Sequence, residues 1–435
     1  MNNSEQIIYN TILQGNSICT DSREAGKNNV FFALKGDNFD GNNFAQEAVN
    51  KGCELAVIDN PKVKIDNRYI LVTDVLNTLQ NIALHHRNKF NIPVIGITGT
   101  NGKTTTKELI HTVLSKKYNT CATKGNLNNH IGVPLTLLSL KNDNEIAVIE
   151  LGANHVGEIK HLSGLAKPTY GLITNIGKAH LEGFGSIENI TKAKSELYDY
   201  IKKNKGKLFV THDNEKLMNL SENIPKITYG KSHNADYIGK IAKNDNFLKI
   251  IYSEKKHIHQ KYEINTNLIG SYNFENVMAA ICIGTFFEVN KNHIKEAIET
   301  YNPTNNRSQF IKTKNNTILM DAYNANPSSM KLALEHFHSM NLTNKTVILG
   351  DMLELGEDED KEHSKILDLA LKQKFNNIIL VGEKFCNVAN KEKNVTFFTN
   401  APELINWLIK NPQSNKSILI KGSRGIKLEA ILDYL

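Results

Sequence analysis

A chain of 435 residues has room for about two to four domains with substantial cores, and 40% hydrophobic with 22% charged residues excludes a disordered or fibrous chain. The net charge of +7 is spread without a long basic block, which favours small anionic ligands over a nucleic-acid groove. The five cysteines (Cys19, Cys53, Cys121, Cys282, Cys386) form no CxxC pair and no basic-then-apolar leader opens the chain, so a disulfide framework, a cysteine zinc site and secretion are not expected; a reducing cytoplasm is.

Residues 1–83 read as a small α/β domain. Strand candidates Val30 to Leu34, Leu55 to Ile58 and Tyr69 to Val72 alternate with helical patterns such as Asn43 to Lys51. Thr20, Asp21, Ser22 and Arg23 offer hydroxyls, backbone and a guanidinium to an anionic ligand; the plainer and favoured reading is a turn closed by an Asp-Ser hydrogen bond. A helix from Leu76 to Phe90 leads into the next region.

Residues 84–302 are organised around Pro93 to Lys107. An apolar run to Ile97 predicts a buried strand. It breaks into Thr98-Gly99-Thr100-Asn101-Gly102-Lys103-Thr104-Thr105, and helical periodicity follows through Leu109, Ile110, Val113 and Leu114. Strand, glycine loop and helix N-terminus together make a phosphate-binding loop, with Lys103 for the terminal phosphates and Thr104 for Mg²⁺. The match is to a relaxed pattern, since Ile97 stands where the strict one has Gly. Gly125 to Pro134 carries Asn126, Asn128 and Asn129, amide donors if the fold brings them to the nucleotide and otherwise loop residues. Glu145 to Glu150 predicts a strand ending in a carboxylate suited to Mg²⁺. His155 and His161 share no helix face and are not a metal pair. A strand from Tyr170 to Thr174 leads to His180, which lies where ligands gather in open α/β sheets. A helix from Ile187 to Lys203 carries Lys192, Lys194 and Glu196 on what reads as a solvated face. His257 and His259, at strand spacing, read as surface residues. Asn273 to Phe287 reads as an amphipathic helix; within it begins the longest apolar segment, Val277 to Val289, too short to cross a bilayer and read as a core helix.

Residues 303–435 alternate strand and helix four times, with strands at Thr317 to Asp321, Thr346 to Gly350, Ile378 to Val381 and Ser417 to Ile420, which predicts a Rossmann-like doubly wound sheet. Polar runs Asn306 to Gln309, Asp321 to Pro327, Leu349 to Met352 and Lys421 to Gly425 punctuate it. Three follow strand ends and read together as one binding edge.

With these residues collected, the chain resembles the Mur ligases, ATP-dependent amide-forming enzymes of peptidoglycan precursor synthesis, from Thr20 to Glu429 and in the same order. The Gly-Thr-Asn-Gly-Lys-Thr-Thr loop is shared with folylpolyglutamate synthases. Gly125 to Pro134, Glu150 to His155, and Leu349 to Met352 followed by Glu354-Leu355-Gly356 are more selective. The Asp-Ala-Tyr-Asn-Ala-Asn-Pro run marks the branch that adds a dipeptide. The resemblance implies three α/β domains: an N-terminal one for the UDP-sugar substrate, a central ATPase-like one with a mostly parallel sheet, and a C-terminal Rossmann-like one for the incoming amine. The substrates implied are ATP, UDP-MurNAc-tripeptide and D-Ala-D-Ala, handled by a cytoplasmic monomer with no nucleic acid and no membrane insertion.

By that resemblance, Gly99 to Thr105 bind ATP with Lys103 on its phosphates. Thr104 and Glu150 serve one Mg²⁺. His180 serves a second, with Lys194 carbamylated, so the solvated-face reading fails at that lysine. Asn276, Arg307 and Asp321 match nucleotide contacts. Asn324 and Asn326 meet the dipeptide, Thr20 to Arg23 the uridine end, and Asn126, Asn128 and Asn129 the phosphates or peptide of the same substrate. Leu151, where many members have Met, is a volume-conserving swap. A sister ligase with another amine, and a nucleotide-driven switch or transport ATPase, are the rival readings.

Overall fold

The computed structural model describes residues 1–242, 246–389 and 395–435. The chain has a three-domain α/β architecture with mostly parallel sheets. By internal contacts it divides into two units: Met1–Gly96 with Thr120–Leu151 and His161–Pro168, and Ile97–Asn119 with Gly152–Lys160 and Thr169–Leu435.

In the first unit, parallel strands Ser17–Cys19, Asn29–Phe32, Leu55–Ile58 and Tyr69–Leu71 lie in that order. Phe31, Ala56, Ile58 and Tyr69 bury against Ala45, Ala48 and Val49, the inner face of the short helix Ala45–Asn50. The helix expected from Leu76 to Phe90 spans Val75–Arg87. Asp74 starts it by accepting from the Asn77 N–H at 2.6 Å. Arg87 ends it by donating to the carbonyls of Phe90 (2.6 Å) and Ala166 (2.9 Å). Strands Thr120–Ala122 and Ile146–Glu150 pair in parallel, and the Ala147 N–H donates to the Pro93 carbonyl (3.0 Å) at the entry to strand Val94–Thr98.

In the second unit, the far end of that strand receives the Thr174 N–H on the Thr98 carbonyl (2.9 Å). Tyr170–Ile173, Lys207–Thr211, Lys226–Gly230 and Tyr237–Ile241 follow in parallel, then Lys249–Glu254 and Tyr262–Asn265 antiparallel. The five strands from Lys207 to Asn265 escape sequence reading because lysines and polar residues interrupt their short apolar alternation. His257 and His259 are exposed as expected, though His257 lies in a single turn of 3-10 helix, not on a strand. Helix Phe274–Phe286 corrects the amphipathic expectation: residues Asn276 to Gly284 are all buried. It packs between helix Lys103–Leu114 and the strands Lys207–Thr211, Lys226–Gly230 and Tyr237–Ile241, which shields its middle turns on every side.

The C-terminal sheet contains the four expected strands and two more, at its edges. Its order is Gln309–Lys312 (antiparallel), Thr317–Asp321, Ser417–Lys421, Lys345–Gly350, Asn377–Val381, Val395–Phe398. Period-two alternation loads both faces. Leu319, Val347, Leu349, Leu380 and Leu419 pack with helices Pro327–Ser339 and Glu359–Lys372. Ile318, Met320, Ile348, Ile379, Ile418 and Ile420 pack with helix Ala401–Lys410 and the last turns of the chain. The final strand is followed by 3-10 turns, not by the expected helix, because Lys427 adopts φ 57° between them.

At the carboxyl end of this sheet Asp321 and Lys421 stand in register on neighbouring strands. The Lys421 ammonium, 2% exposed, donates to the Asp321 carboxylate at 2.6 Å. Removing one partner of a buried pair strands the other charge. Lys421→Met is therefore expected to lower the free energy of unfolding by about 3 kcal/mol, read by urea denaturation. The double variant with Asp321→Asn is expected to lose less than the sum of the single changes; strict additivity would show that the pair is not coupled.

Candidate active site

The phosphate loop is built by sterics. Gly99 has φ 144°, and a Cβ there would lie 2.0 Å from Thr174 Oγ1. Gly102 has φ 77° and would bring a Cβ within 2.7 Å of Asn276 Oδ1. Both positions therefore exclude a side chain. Gly102 is also the N-cap of helix Lys103–Leu114 and supplies no side-chain cap, which leaves that end suited to an anion. Lys103 Nζ lies across the loop and donates to the carbonyls of Gly99 (2.8 Å) and Thr100 (3.1 Å). Thr104 is buried at the helix start.

Residues that sequence reading missed hold the loop in place. The Thr100 N–H donates to the Asn175 carbonyl (2.9 Å), and the Asn101 N–H donates to Asn175 Oδ1 (2.9 Å). The Asn101 carbonyl accepts from Thr174 Oγ1 (2.7 Å) and Asn175 Nδ2 (3.0 Å). Gly177 donates to Thr100 Oγ1 at 3.0 Å. The signal available in sequence was the polar pair Thr-Asn just beyond an apolar strand. Asn276, expected at the nucleotide, is 6% exposed and braces the loop from behind: its Oδ1 accepts from Thr106 Oγ1 (2.9 Å) and its amide donates to Asn273 Oδ1 (2.8 Å).

His180 sits at the start of the short helix Leu181–Phe184 with φ 51°. Its Nδ1 pairs with the Glu354 carboxylate, which the imidazole holds below the usual carboxylate range. The Glu354 carbonyl accepts from the Glu182 N–H at 3.2 Å. Nε2 is the His180 nitrogen left for a metal. Lys194 lies on helix Ile187–Lys203, the span expected, but is only 2% exposed, so the solvated-face reading fails there. Its ammonium makes no hydrogen bond or ion pair among the described residues and lies 5.5 Å above the Phe184 ring. Burial, with the Lys103 charge second, pulls its pKa down to about 7. Glu196, two residues on, accepts from the N–H groups of Gly157 (2.7 Å) and Lys160 (2.8 Å).

The run Asp321 to Pro327 crosses the carboxyl edge of the C-terminal sheet. Ala322 buries in the core on one face of the sheet and Ala325 in the core on the other, so Tyr323 and Asn324 form the crest between them. Asp321 accepts from the Ser308 N–H (3.1 Å) as well as from Lys421. Asn324 is exposed, with its carbonyl held by Lys421 Nζ at 3.3 Å. Asn326 is 4% exposed, and both ends of its side-chain amide are bonded within the protein. Its Oδ1 caps helix Pro327–Ser339 through the Ser329 N–H (2.9 Å), and its amide donates to Asn101 Oδ1 in the phosphate loop (2.8 Å). Arg307 lies over the Tyr323 ring at 3.8 Å.

The other expected residues lie in the first unit. Glu150, 1% exposed, ends its strand and accepts from Asn128 Nδ2 at 2.8 Å. Asn129 Oδ1 accepts from the N–H groups of Ile131 (3.1 Å) and Gly132 (2.9 Å) at the start of helix Gly132–Leu138, and Asn126 is exposed. Thr20 to Arg23 form a turn, but the bond that closes it differs from the one expected. Asp21 accepts from the backbone (2.9 Å) and guanidinium (2.5 Å) of Arg23, not from Ser22, and that pairing lowers its pKa to about 2.

The donors suit Mg²⁺ by type, since hydroxyl and carboxylate oxygens are its ligands and it commonly takes only one or two carboxylates besides substrate phosphates. No group of three or more His, Cys, Asp or Glu able to cage a metal occurs among the described residues, and no helix among them is long and apolar enough to cross a membrane.

Three family models match the chain: "Mur ligase family, catalytic domain" over residues 16–97, "Mur ligase middle domain" over 97–284 and "Mur ligase, glutamate ligase domain" over 306–424. The UDP-N-acetylmuramoyl-tripeptide--D-alanyl-D-alanine ligase of Bacillus subtilis is 35% identical, over 98% of this chain and 93% of its own. That of Escherichia coli is 30% identical, over 98% and 96%. Among solved structures, MurF from Acinetobacter baumannii superposes with a TM-score of 0.84 at 31% identity, covering 96% of this chain and 92% of that one. MurF ligase from Thermotoga maritima in complex with ADP shares the fold, with a TM-score of 0.83 at 23% identity and coverage of 100% and 98%. Matched along nearly its whole length in sequence and in fold, the chain belongs to the Mur ligase family, the ATP-dependent ligases of peptidoglycan synthesis.

Proposed function

We propose that the chain joins D-Ala-D-Ala to the terminal carboxylate of UDP-MurNAc-tripeptide, giving UDP-MurNAc-pentapeptide, ADP and phosphate. One observation carries this reading: the hydrogen bond from Asn326 to Asn101, which ties the run that marks the dipeptide-adding branch to the loop that would hold ATP. Nucleotide and amine sites linked in this way suit a ligase better than a switch. The names of the relatives point the same way.

The chemistry follows from a poor leaving group. A carboxylate cannot lose oxide, so its oxygen first attacks the γ-phosphorus of ATP, breaking the bond to the β-γ bridging oxygen and releasing ADP. The amine nitrogen of D-Ala-D-Ala then attacks the acyl carbon; the carbon–oxygen bond breaks, phosphate leaves, and the amine gives up its proton. Lys103 and the N-terminal amides of helix Lys103–Leu114 are the groups proposed to receive the phosphates, with Thr104 and Glu150 as Mg²⁺ ligands. Bound Mg²⁺ would supply charge neutralisation at the transferring phosphoryl group. For Lys194, a buried amine with no hydrogen-bond or ion-pair partner among the described residues fits carbamylation. The neutral nitrogen adds CO₂ and loses a proton, turning a cation into an anion with oxygen donors. His180 Nε2 and that carbamate are the proposed ligands of a second Mg²⁺.

Lys103→Ala is expected to lower kcat by at least about a hundredfold while circular dichroism stays unchanged; an unaltered kcat removes the loop lysine from the reaction. Lys194→Ala is expected to be inactive and partly rescued by a short carboxylic acid. In ¹³C-bicarbonate the wild-type protein should give a carbamate resonance that the variant lacks, and a wild-type spectrum without it rejects the modification. Mass spectrometry of the product from ATP, UDP-MurNAc-tripeptide and a panel of amines should show addition of D-Ala-D-Ala in preference to single amino acids. ADP release indifferent to both substrates contradicts the ligase reading.

A further inference from the structure

The chain has five arginines. Arg23 and Arg68 are bound to Asp21 and Asp66, and Arg87 to backbone carbonyls. Arg307 and Arg424 have no carboxylate or carbonyl acceptor among the described residues, and both lie over the same ring, that of Tyr323, at 3.8 Å and 5.3 Å. Arg307 Nε is buried without a hydrogen-bond partner, while Arg424 is exposed. The two come from separate segments, one ahead of strand Gln309–Lys312 and one after strand Ser417–Lys421.

Their mount is rigid. Tyr323 stands on the crest pinned by the buried alanines beside it. Arg424 follows Ser423, whose N–H donates to the Asp351 carbonyl (3.1 Å) and whose Oγ accepts from the Leu353 N–H (3.1 Å). Beneath them the Lys421 charge is already matched by Asp321. Two guanidinium charges thus share one aromatic ring, and neither is bound to an acid of the chain among the described residues. An aromatic face holds a guanidinium's orientation and leaves its N–H edge for a carboxylate or phosphate, which Arg binds through two parallel hydrogen bonds.

We propose that Arg424, held on Tyr323 beside Arg307, takes the free carboxylate of the incoming dipeptide. The assignment rests on the ligase reading above. D-Ala-D-Ala has two methyl groups, one amide, the reacting amine and a single permanent anion, so its carboxylate is the strongest handle for orienting the amine. Arg424 shares the crest with Asn324, the exposed residue of the dipeptide run. The phosphates of ATP are the other anion that could reach this pair, and the experiment separates the two.

Steady-state kinetics of Arg424→Ala and Arg424→Lys should show KM for D-Ala-D-Ala raised on the order of 10- to 100-fold, with KM for ATP and UDP-MurNAc-tripeptide and the thermal unfolding midpoint unchanged. Lysine keeps the charge but not the fork, so it should rescue only in part. Wild-type enzyme should prefer D-Ala-D-Ala to its C-terminal amide by a similar factor, and Arg424→Ala should lose that preference. A variant that still discriminates against the amide, or one in which KM rises for ATP instead, overturns the assignment. Wild-type enzyme that ignores D-Ala-D-Ala rejects the ligase reading and this proposal with it; an active wild type with unaltered Arg424 variants rejects this proposal alone.

Discussion

A loop that presents part of its backbone to a phosphate needs its shape held from outside. Here that support is Asn175. Its carbonyl and side chain accept from the N–H groups of Thr100 and Asn101, and its amide, with Thr174 Oγ1, donates to the Asn101 carbonyl. The next parallel strand thereby fixes the first half of the loop, and Asn276, wedged against Gly102, fixes the second. Everything proposed for nucleotide chemistry depends on that bracing, because donors aimed at a developing charge contribute only if they need not reorganise when the charge appears.

The same constraint explains what sequence could and could not reveal. Gly-Lys-Thr between an apolar strand and a periodic helix is a local pattern, so the loop was legible without knowledge of the fold. Asn175 was not, since an asparagine after a strand has many uses and its partner lies 74 residues away. Lys421 and Arg424 were legible as polar punctuation at a strand end but not as one matched and one unmatched charge; only the register of Asp321 with Lys421 decides that. Lys194 shows the reverse failure. Its charged neighbours Lys192 and Glu196 make its helix read as solvated, and burial of one lysine in that face became visible only in the packing.

Charge placement separates structure from chemistry. Two unit anions about 4 Å apart repel by about 4 kcal/mol at an effective dielectric constant near 20, about a thousandfold in rate. A carboxylate attacking a triphosphate must have that repulsion removed in advance. Cations already bound to acids are poorly suited to removing it. Lys421 is committed to Asp321, and Lys178 reaches Glu362 at 3.3 Å. Arg307 and Arg424, by contrast, rest on a ring. An anion arriving at these groups exchanges a weak partner for a strong one, which is the direction in which binding energy is gained.

The run from Asp321 to Pro327 extends that division of labour to single residues. Its two alanines must be small because each is buried in the core on a different face of the sheet as the chain crosses the edge. Asp321 and Asn326 commit their polar atoms within the protein, to Lys421 and Ser308, and to Ser329 and Asn101. Unpairing either would leave a buried polar group unsatisfied, which costs more than a single ligand hydrogen bond returns. Under the proposed reading, contact with an incoming amine therefore falls to the residues that are left, Asn324 and Tyr323 on the crest and the arginines stacked there. Asn326, which resemblance places on the dipeptide, is bonded to Asn101, and under the proposed reading that bond couples the seat of the dipeptide to the loop that would hold the phosphates. In a ligase that must keep a water-labile acyl phosphate until the amine arrives, that coupling is as useful as a direct contact.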